Sequence, residues 1–339
     1  MLRALRLRWI GLGFLFLAFG SAVHADPCVV RRAAFDVGSG STKMTVADVN
    51  ACEQRILSVV LESAEKVDYK ESLSRSSDRR FSDEVVNSGL AAMKRLKSEA
   101  LSVGVQAGNF SGIATAAFRE AENGRELLDR FTSELGVALS VISQEEEGKI
   151  GFYSAMAVSG LRPEELVVWD IGGGSMQITY YEGRGLKVFR SSLASVSFKN
   201  RVVREIQQSS STTANPLSGS ELESAVQMAR SEFKASLPAA LLSRIREAGG
   251  VIHGIGGVHG ASLRNRLGVE EYTGEDLRRG IARWSGKTDA EVGGAFASTE
   301  VTNLALVLGA FEALGASRVR TWRVSGTMGV LIHPQFWNQ

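Results

Sequence analysis

Apolar and polar positions along this chain alternate with a period of two, shift to helical spacing and shift back, several times over. In "VVRRAAFDVGSGSTKMTVADVN" the alternation predicts a hairpin, with residues 33–37 outward, Gly38-Ser39-Gly40-Ser41 as the turn, and 43–49 returning. The polar stretch from Asp68 to Arg80 reads as a loop. Ser82 then caps a helix with Asp83 and Glu84 in its first turn, running toward Ser102. "FSGIAT" (110–115) is a short strand, a helix runs from Asn123 to near Gly136, "ALSVIS" is the next strand, and Glu145 opens another helix. After that the pattern restarts. "LVVWDIGGGSMQITYY" is again strand, Gly/Ser turn and strand, and "RGLKVFRSS" adds a third strand. Helices are expected at about 195–208 and 218–246, with a Ser/Thr-rich break at 209–213. "VIHGIGGVHGASL" reads as strand, glycine turn and helix, 299–314 as a strongly apolar helix, and "RVRTWRVS" as a late strand.

Both halves thus open with an acid-ended hairpin and continue with alternating strands and helices. This pattern predicts two similar α/β domains with a cleft between them. The 339 residues, 44% of them hydrophobic, suffice for two cores. The start of the chain reads differently: Arg3, Arg6 and Arg8 precede an apolar run at 9–19, and Val23-His24-Ala25 offers small residues where a signal peptidase cuts. The expected layout is therefore a signal peptide at 1–25, a first domain at 26–150 and a second at 151–339, with no stable membrane span once the signal is removed. Without residues 1–25 the chain keeps 36 Lys and Arg against 37 Asp and Glu, a net −1. No basic tail or stripe points to nucleic acid. The location expected is periplasmic or secreted, and a homodimer is left open.

The two cysteines, Cys28 and Cys52, lie too far apart for a zinc-binding pair, and His253, His259 and His333 are scattered singly. If the first hairpin pairs symmetrically about Gly40, Asp36 faces Met44, and Cys28 meets Cys52 at the open end, where a disulfide can form.

The glycine turns carry the chemistry. Backbone N–H groups without a Cβ come close to an anion. Gly38, Ser39, Gly40 and Ser41 form one such turn, Gly172, Gly173, Gly174 and Ser175 a second, and Gly256 and Gly257 belong to a third. Asp36 and Asp170 each end a strand just before a turn, about 134 residues apart, where a carboxylate holds a Mg²⁺ that bridges phosphate oxygens or orients a water.

Here a resemblance becomes specific. "AAFDVGSGSTKM", "ATAAFREAENG", "VISQEEEGKIGF", "VVWDIGGGSMQI" and, more loosely, "GIGGVHGAS" resemble, in order and at family spacing, the motifs of the Ppx/GppA family of exopolyphosphatases and guanosine pentaphosphate phosphohydrolases. The resemblance implies an α/β fold of duplicated actin-like domains (sugar kinase/Hsp70, ribonuclease H-like) with a central interdomain cleft. It further implies that Glu147, the last acid of a run that otherwise reads as helix-start acids, positions the attacking water. Arg119 would pair with phosphate oxygens or with an acid. Four positions depart from the family pattern. Gln177 stands where the family carries a metal-associated acid, Gly40 where Asn is usual, Val258 where Thr often follows, and Ala194 where Gly is usual. An amide at 177 offers a neutral oxygen, so weaker Mg²⁺ binding is implied.

The expected function is removal of terminal orthophosphate from inorganic polyphosphate, or from another phosphoanhydride, with Mg²⁺ or Mn²⁺ as cofactor. Guanosine pentaphosphate fits an exported chain less well. The rival is a polyphosphate- or nucleotide-binding protein of the same fold with impaired catalysis, which Gln177 favours. A kinase of the same superfamily is a third reading, disfavoured by a signal that leads away from ATP.

Overall fold

The computed structural model describes residues 27–337. The expected signal segment, 1–25, lies outside them. The first half is built on strands β1 (Val29–Val37), β2 (Ser41–Asn50) and β3 (Arg55–Lys66), helices α1 (Tyr69–Arg75) and α2 (Asp83–Ser102), strand β4 (Phe110–Ala114), helices α3 (Ala116–Glu120) and α4 (Gly124–Leu135), and strand β5 (Ala138–Val141). Helix α5 (Gln144–Ser159) leads into the second half: β6 (Val167–Ile171), β7 (Met176–Glu182), β8 (Gly185–Ser191), α6 (Ser195–Arg201), α7 (Gly219–Ser236), α8 (Ala239–Glu247) and β9 (Val251–Ile255). It continues with α9 (Arg264–Leu267), β10 (Glu271–Tyr272), α10 (Gly274–Trp284), α11 (Asp289–Val292), α12 (Ala297–Leu314), β11 (Arg318–Thr321) and α13 (Gly326–Ile332). The first sheet runs β3-β2-β1-β4-β5 and the second β10-β11-β9-β6-β7-β8. In each, the acid-ended strand is central, with an antiparallel hairpin on one side and a parallel neighbour on the other.

Strand periodicity decides where the acids go. On β1, Ala33, Phe35 and Val37 face the outer core with α2 and α4, while Ala34 faces a layer shared by both halves. On β6, Val167, Trp169 and Ile171 face the second outer core and Val168 the shared layer. Asp36 and Asp170 follow Ala34 and Val168 at a spacing of two, so both acids point into the shared layer.

Helices α5 and α13 fill that layer and pack on each other. A Cβ on Gly329 would lie 2.7 Å from both Cγ2 and the carbonyl oxygen of Ile150. The Gly329 N–H instead donates to Ser154 Oγ at 2.9 Å, and that hydroxyl donates to the Ile150 carbonyl, also at 2.9 Å. Although it is the last helix, α13 packs against β1, β2 and β4 of the first sheet. The expected boundary at 151 groups it with the second half; in space it belongs with the first.

Several expectations need correction. The first hairpin is shifted by one residue: Phe35 pairs with Met44, and Asp36 faces Lys43. The Cys28–Cys52 disulfide forms nonetheless, with a Cα–Cα separation of 5.4 Å just beyond the last ladder pair, Val29 with Asn50. The helix expected at 218–246 is two, because Pro238 follows α7 and cannot continue its hydrogen bonds. The Asp68–Arg80 loop contains α1, and "RVRTWRVS" is a strand only over Arg318–Thr321.

Gly329→Ala forces a methyl into the α5–α13 contact and is expected to cost about 1–3 kcal/mol of stability. Denaturant unfolding checks this: an unchanged midpoint would mean the two helices are free to separate there.

Candidate active site

The two glycine hairpins have the same internal geometry. Gly38 N–H donates to the Ser41 carbonyl at 2.9 Å, and Gly172 N–H to the Ser175 carbonyl at 3.0 Å. Among the described residues, the amides of Ser39, Gly40, Gly173 and Gly174 make no hydrogen bond, and the buried Ser39 hydroxyl has no partner either. These are unspent donors. The loops also touch: a Cβ on Gly174 would stand 2.5 Å from Ser39 Oγ, and one on Gly173 3.0 Å from Ser39 Cβ. Glycine at 173 and 174 is what lets the two halves meet. The third turn differs. Gly256, with φ +79°, starts a helix, and its N–H is committed to the Val324 carbonyl.

All three turns line one cleft of about 680 Å³ between the halves, together with Asp36, Glu147 and Asp170. Asp170 is wedged beside Gly151 of α5 and against Gly256, where a Cβ would collide with its carboxylate. No protein donor bonds Asp170 among the described residues. Burial, reinforced by Glu147 and Asp36 and opposed by Lys43, pushes its carboxyl up to about 7. Asp36 is raised too, by burial, against the pull of Lys43 and a hydrogen bond from the Gly326 backbone.

Glu147 sits in the first turn of α5, which a Ser143/Glu146 capping box fixes. Its carboxylate accepts from Ser175 Oγ at 3.1 and 3.2 Å and pairs with Arg119 at 2.9 Å. Burial holds it above the usual carboxylate range even so. Arg119, at the end of α3, also donates to the Ile142 carbonyl at 2.9 Å and does not line the cleft. The structure thus gives it the acid as partner. Gln177 is also absent from the cleft wall. It pairs across the strands with Asp170, is 1% exposed, and lies under Gly148, with neither amide atom bonded. It lies beside Asp170 on the same face of the sheet, covered by α5, and so does not line the cleft in which a metal ligand is expected.

Lys43 is the main residue that the sequence reading passes over. It faces Asp36 across the hairpin, lines the cleft, and its charge opposes the upward shift of both aspartates. Its signal was the alternation Ser41-x-Lys43 on β2, hidden by a one-residue error in register. Thr115, Ser325 and Gly326 line the same floor; the last two come from the turn into α13, which carries no motif.

The donor set suits a small hard cation. Asp36 and Asp170 both line the cleft, from opposite halves. No three Asp, Glu, His or Cys side chains converge at ligand spacing among the described residues. A Mg²⁺ held by these two aspartates would therefore complete its shell with water and substrate oxygens, as Mg²⁺ commonly does.

Two α/β halves, each ending its central strand in an aspartate before a glycine turn, define a duplicated actin-like fold. The Ppx/GppA phosphatase family model matches residues 45–206, a little under half of the chain. The fold agrees. The Ppx/GppA protein of Aquifex aeolicus superposes with a TM-score of 0.67 over 90% of this chain and 97% of its own, at 18% identity. An exopolyphosphatase from Cytophaga hutchinsonii gives 0.69 over 89% and 96%, at 16% identity. Likeness at such identities speaks to fold alone. An uncharacterized protein of Streptomyces coelicolor is 38% identical over 71 residues, which span only 21% of this chain and 21% of that relative. Among the described residues no helix is long and apolar enough to cross a membrane.

Asp170 titrates near 7 in the folded chain against an ordinary 3.8, so folding favours its protonated form. The resulting destabilisation is complete above pH 7, shrinks as pH falls, and is gone below about 3.8. Without divalent metal, Asp170→Asn is therefore expected to melt higher than the natural chain at pH 8 and level with it at pH 4. A constant difference across that range would show that Asp170 is ionised at little cost.

Proposed function

We propose that the chain hydrolyses inorganic polyphosphate from its end, releasing orthophosphate. The observation that carries this reading is Glu147. It is a buried carboxylate of raised basicity, tied to Ser175 of one phosphate loop, at the floor of a cleft between two loops with unspent N–H donors. The free amides of Ser39, Gly40, Gly173 and Gly174 bind non-bridging oxygens of the terminal phosphates. Glu147 orients a water and takes its proton as the water oxygen bonds to the terminal phosphorus. The bond from that phosphorus to the bridging oxygen breaks, and the shortened chain leaves with that oxygen. Lys43 offsets charge building on the phosphate oxygens. Mg²⁺ held by Asp36 and Asp170, with Mn²⁺ as a substitute, would neutralise phosphate charge. The Cys28–Cys52 disulfide supports an exported chain, since such bonds persist in oxidising compartments.

A second reading is a polyphosphate-binding protein with little turnover. Glu147 favours it as well, because Arg119 and Ser175 already occupy its oxygens. Phosphate release from polyphosphate with Mg²⁺, measured beside equilibrium binding, separates the two.

Glu147→Gln is expected to lower phosphate release by roughly 100-fold or more while binding is kept. Glu146→Gln, which disturbs only the capping box, is expected to cost about 1 kcal/mol of stability and to leave turnover intact. The reverse pattern would assign the wrong acid.

A further inference from the structure

Behind the phosphate loops the cleft contains a second charged cluster that the proposed reaction does not use. Lys199, on α6, is 1% exposed. Its Nζ donates to Glu71 Oε2 of α1 at 2.9 Å and to the Thr212 carbonyl at 2.6 Å. Glu71 belongs to the first half and Lys199 to the second, so this pair bridges the cleft. Glu71 is also held by Arg75, one turn along the same helix, at 2.8 Å to its other oxygen. All three side chains line the same cleft as the loops. Helix α6 is tied to the second loop at its start, where Ser195 and Val196 donate to the carbonyls of Gly172 and Gly173 at 3.0 and 2.8 Å. Lys199 therefore stands one helical turn from a phosphate loop.

Two features make this cluster more than a structural ion pair. An ammonium this deeply buried must keep an anionic or carbonyl acceptor in any state of the protein, and a phosphate oxygen serves as well as a carboxylate. Glu71, by contrast, keeps Arg75 when it loses Lys199, so neither charge is left uncompensated by an exchange. We propose that Glu71 is an internal stand-in for substrate. In the closed cleft its carboxylate occupies the anion position of Lys199, and an entering phosphate chain displaces it, taking the Lys199 ammonium and releasing the seam between the halves. This proposal rests on the reading of the cleft as a polyphosphate site and adds Lys199 to it as a chain-binding residue.

The probe is inorganic tripolyphosphate, titrated calorimetrically in EDTA so that binding is read apart from turnover. Glu71→Gln is expected to bind it roughly fivefold or more tightly than the natural chain. Lys199→Met is expected to bind it more weakly. In the Lys199→Met background, Glu71→Gln is expected to gain nothing. Asp68→Asn removes a cleft acid paired with Lys66 and is expected to change affinity by less than about twofold, which separates the pair from a general charge effect. Without ligand, hydrogen exchange over 69–75 and 195–201 should quicken in both Glu71→Gln and Lys199→Met. Unchanged affinity in Glu71→Gln, or a gain that survives Lys199→Met, overturns the proposal. Absence of tripolyphosphate binding by the natural chain overturns it, and the proposed function falls with it only if phosphate release with Mg²⁺ is absent as well. Binding and the Glu71–Lys199 coupling without phosphate release remove only the hydrolysis and leave this inference standing.

Discussion

The structure depends on the close crossing of α5 and α13. Neither helix packs only on its own half: α13 comes from the end of the chain and covers the first sheet, while α5 follows the first sheet and covers β6, β7 and β8 of the second. They meet where Gly329 leaves room for the Ile150 backbone and Ser154 closes the gap with two hydrogen bonds. The three acids of the site are placed relative to that contact. Glu147 is one turn before Gly151 on α5, Gly151 abuts Asp170, and the turn into α13 brings the Gly326 amide to Asp36.

The consequence is electrostatic. Three carboxylates from two halves are held together, partly shielded from water, with Lys43 and Arg119 as near cations. The chain alone satisfies this arrangement poorly, and the upward displacement of all three acids expresses that. Burial that raises carboxylates and leaves backbone donors unspent is the expected state of a site built for a cation and an anion arriving together. A metal with phosphates relieves both deficits, which is why the loops and the acids read as one site.

The sequence made much of this legible, unevenly. Both acid-ended hairpins stand out because strand alternation and glycine turns are local signals, and the disulfide followed from the same hairpin. A one-residue slip in register exchanges the faces of a strand and hides Lys43. The return of α13 to the first sheet is a long-range packing fact without local trace. Gln177 holds the motif position of a ligand, yet it packs beneath Gly148 because α5 covers that part of β7. The pairing of Glu71 with Lys199, 128 residues apart, joins a polar stretch that reads as a loop to a helix of the second half, and nothing in either marks it.

The central claim is that one aspartate from each half serves a single metal-phosphate site. Titration of Mn²⁺ in the presence of tripolyphosphate, followed by electron paramagnetic resonance, tests it most directly. The account predicts about one tightly held ion per chain, lost in Asp36→Asn and in Asp170→Asn alike although the two residues lie in different sheets. Full Mn²⁺ binding in either folded single variant would contradict a shared site.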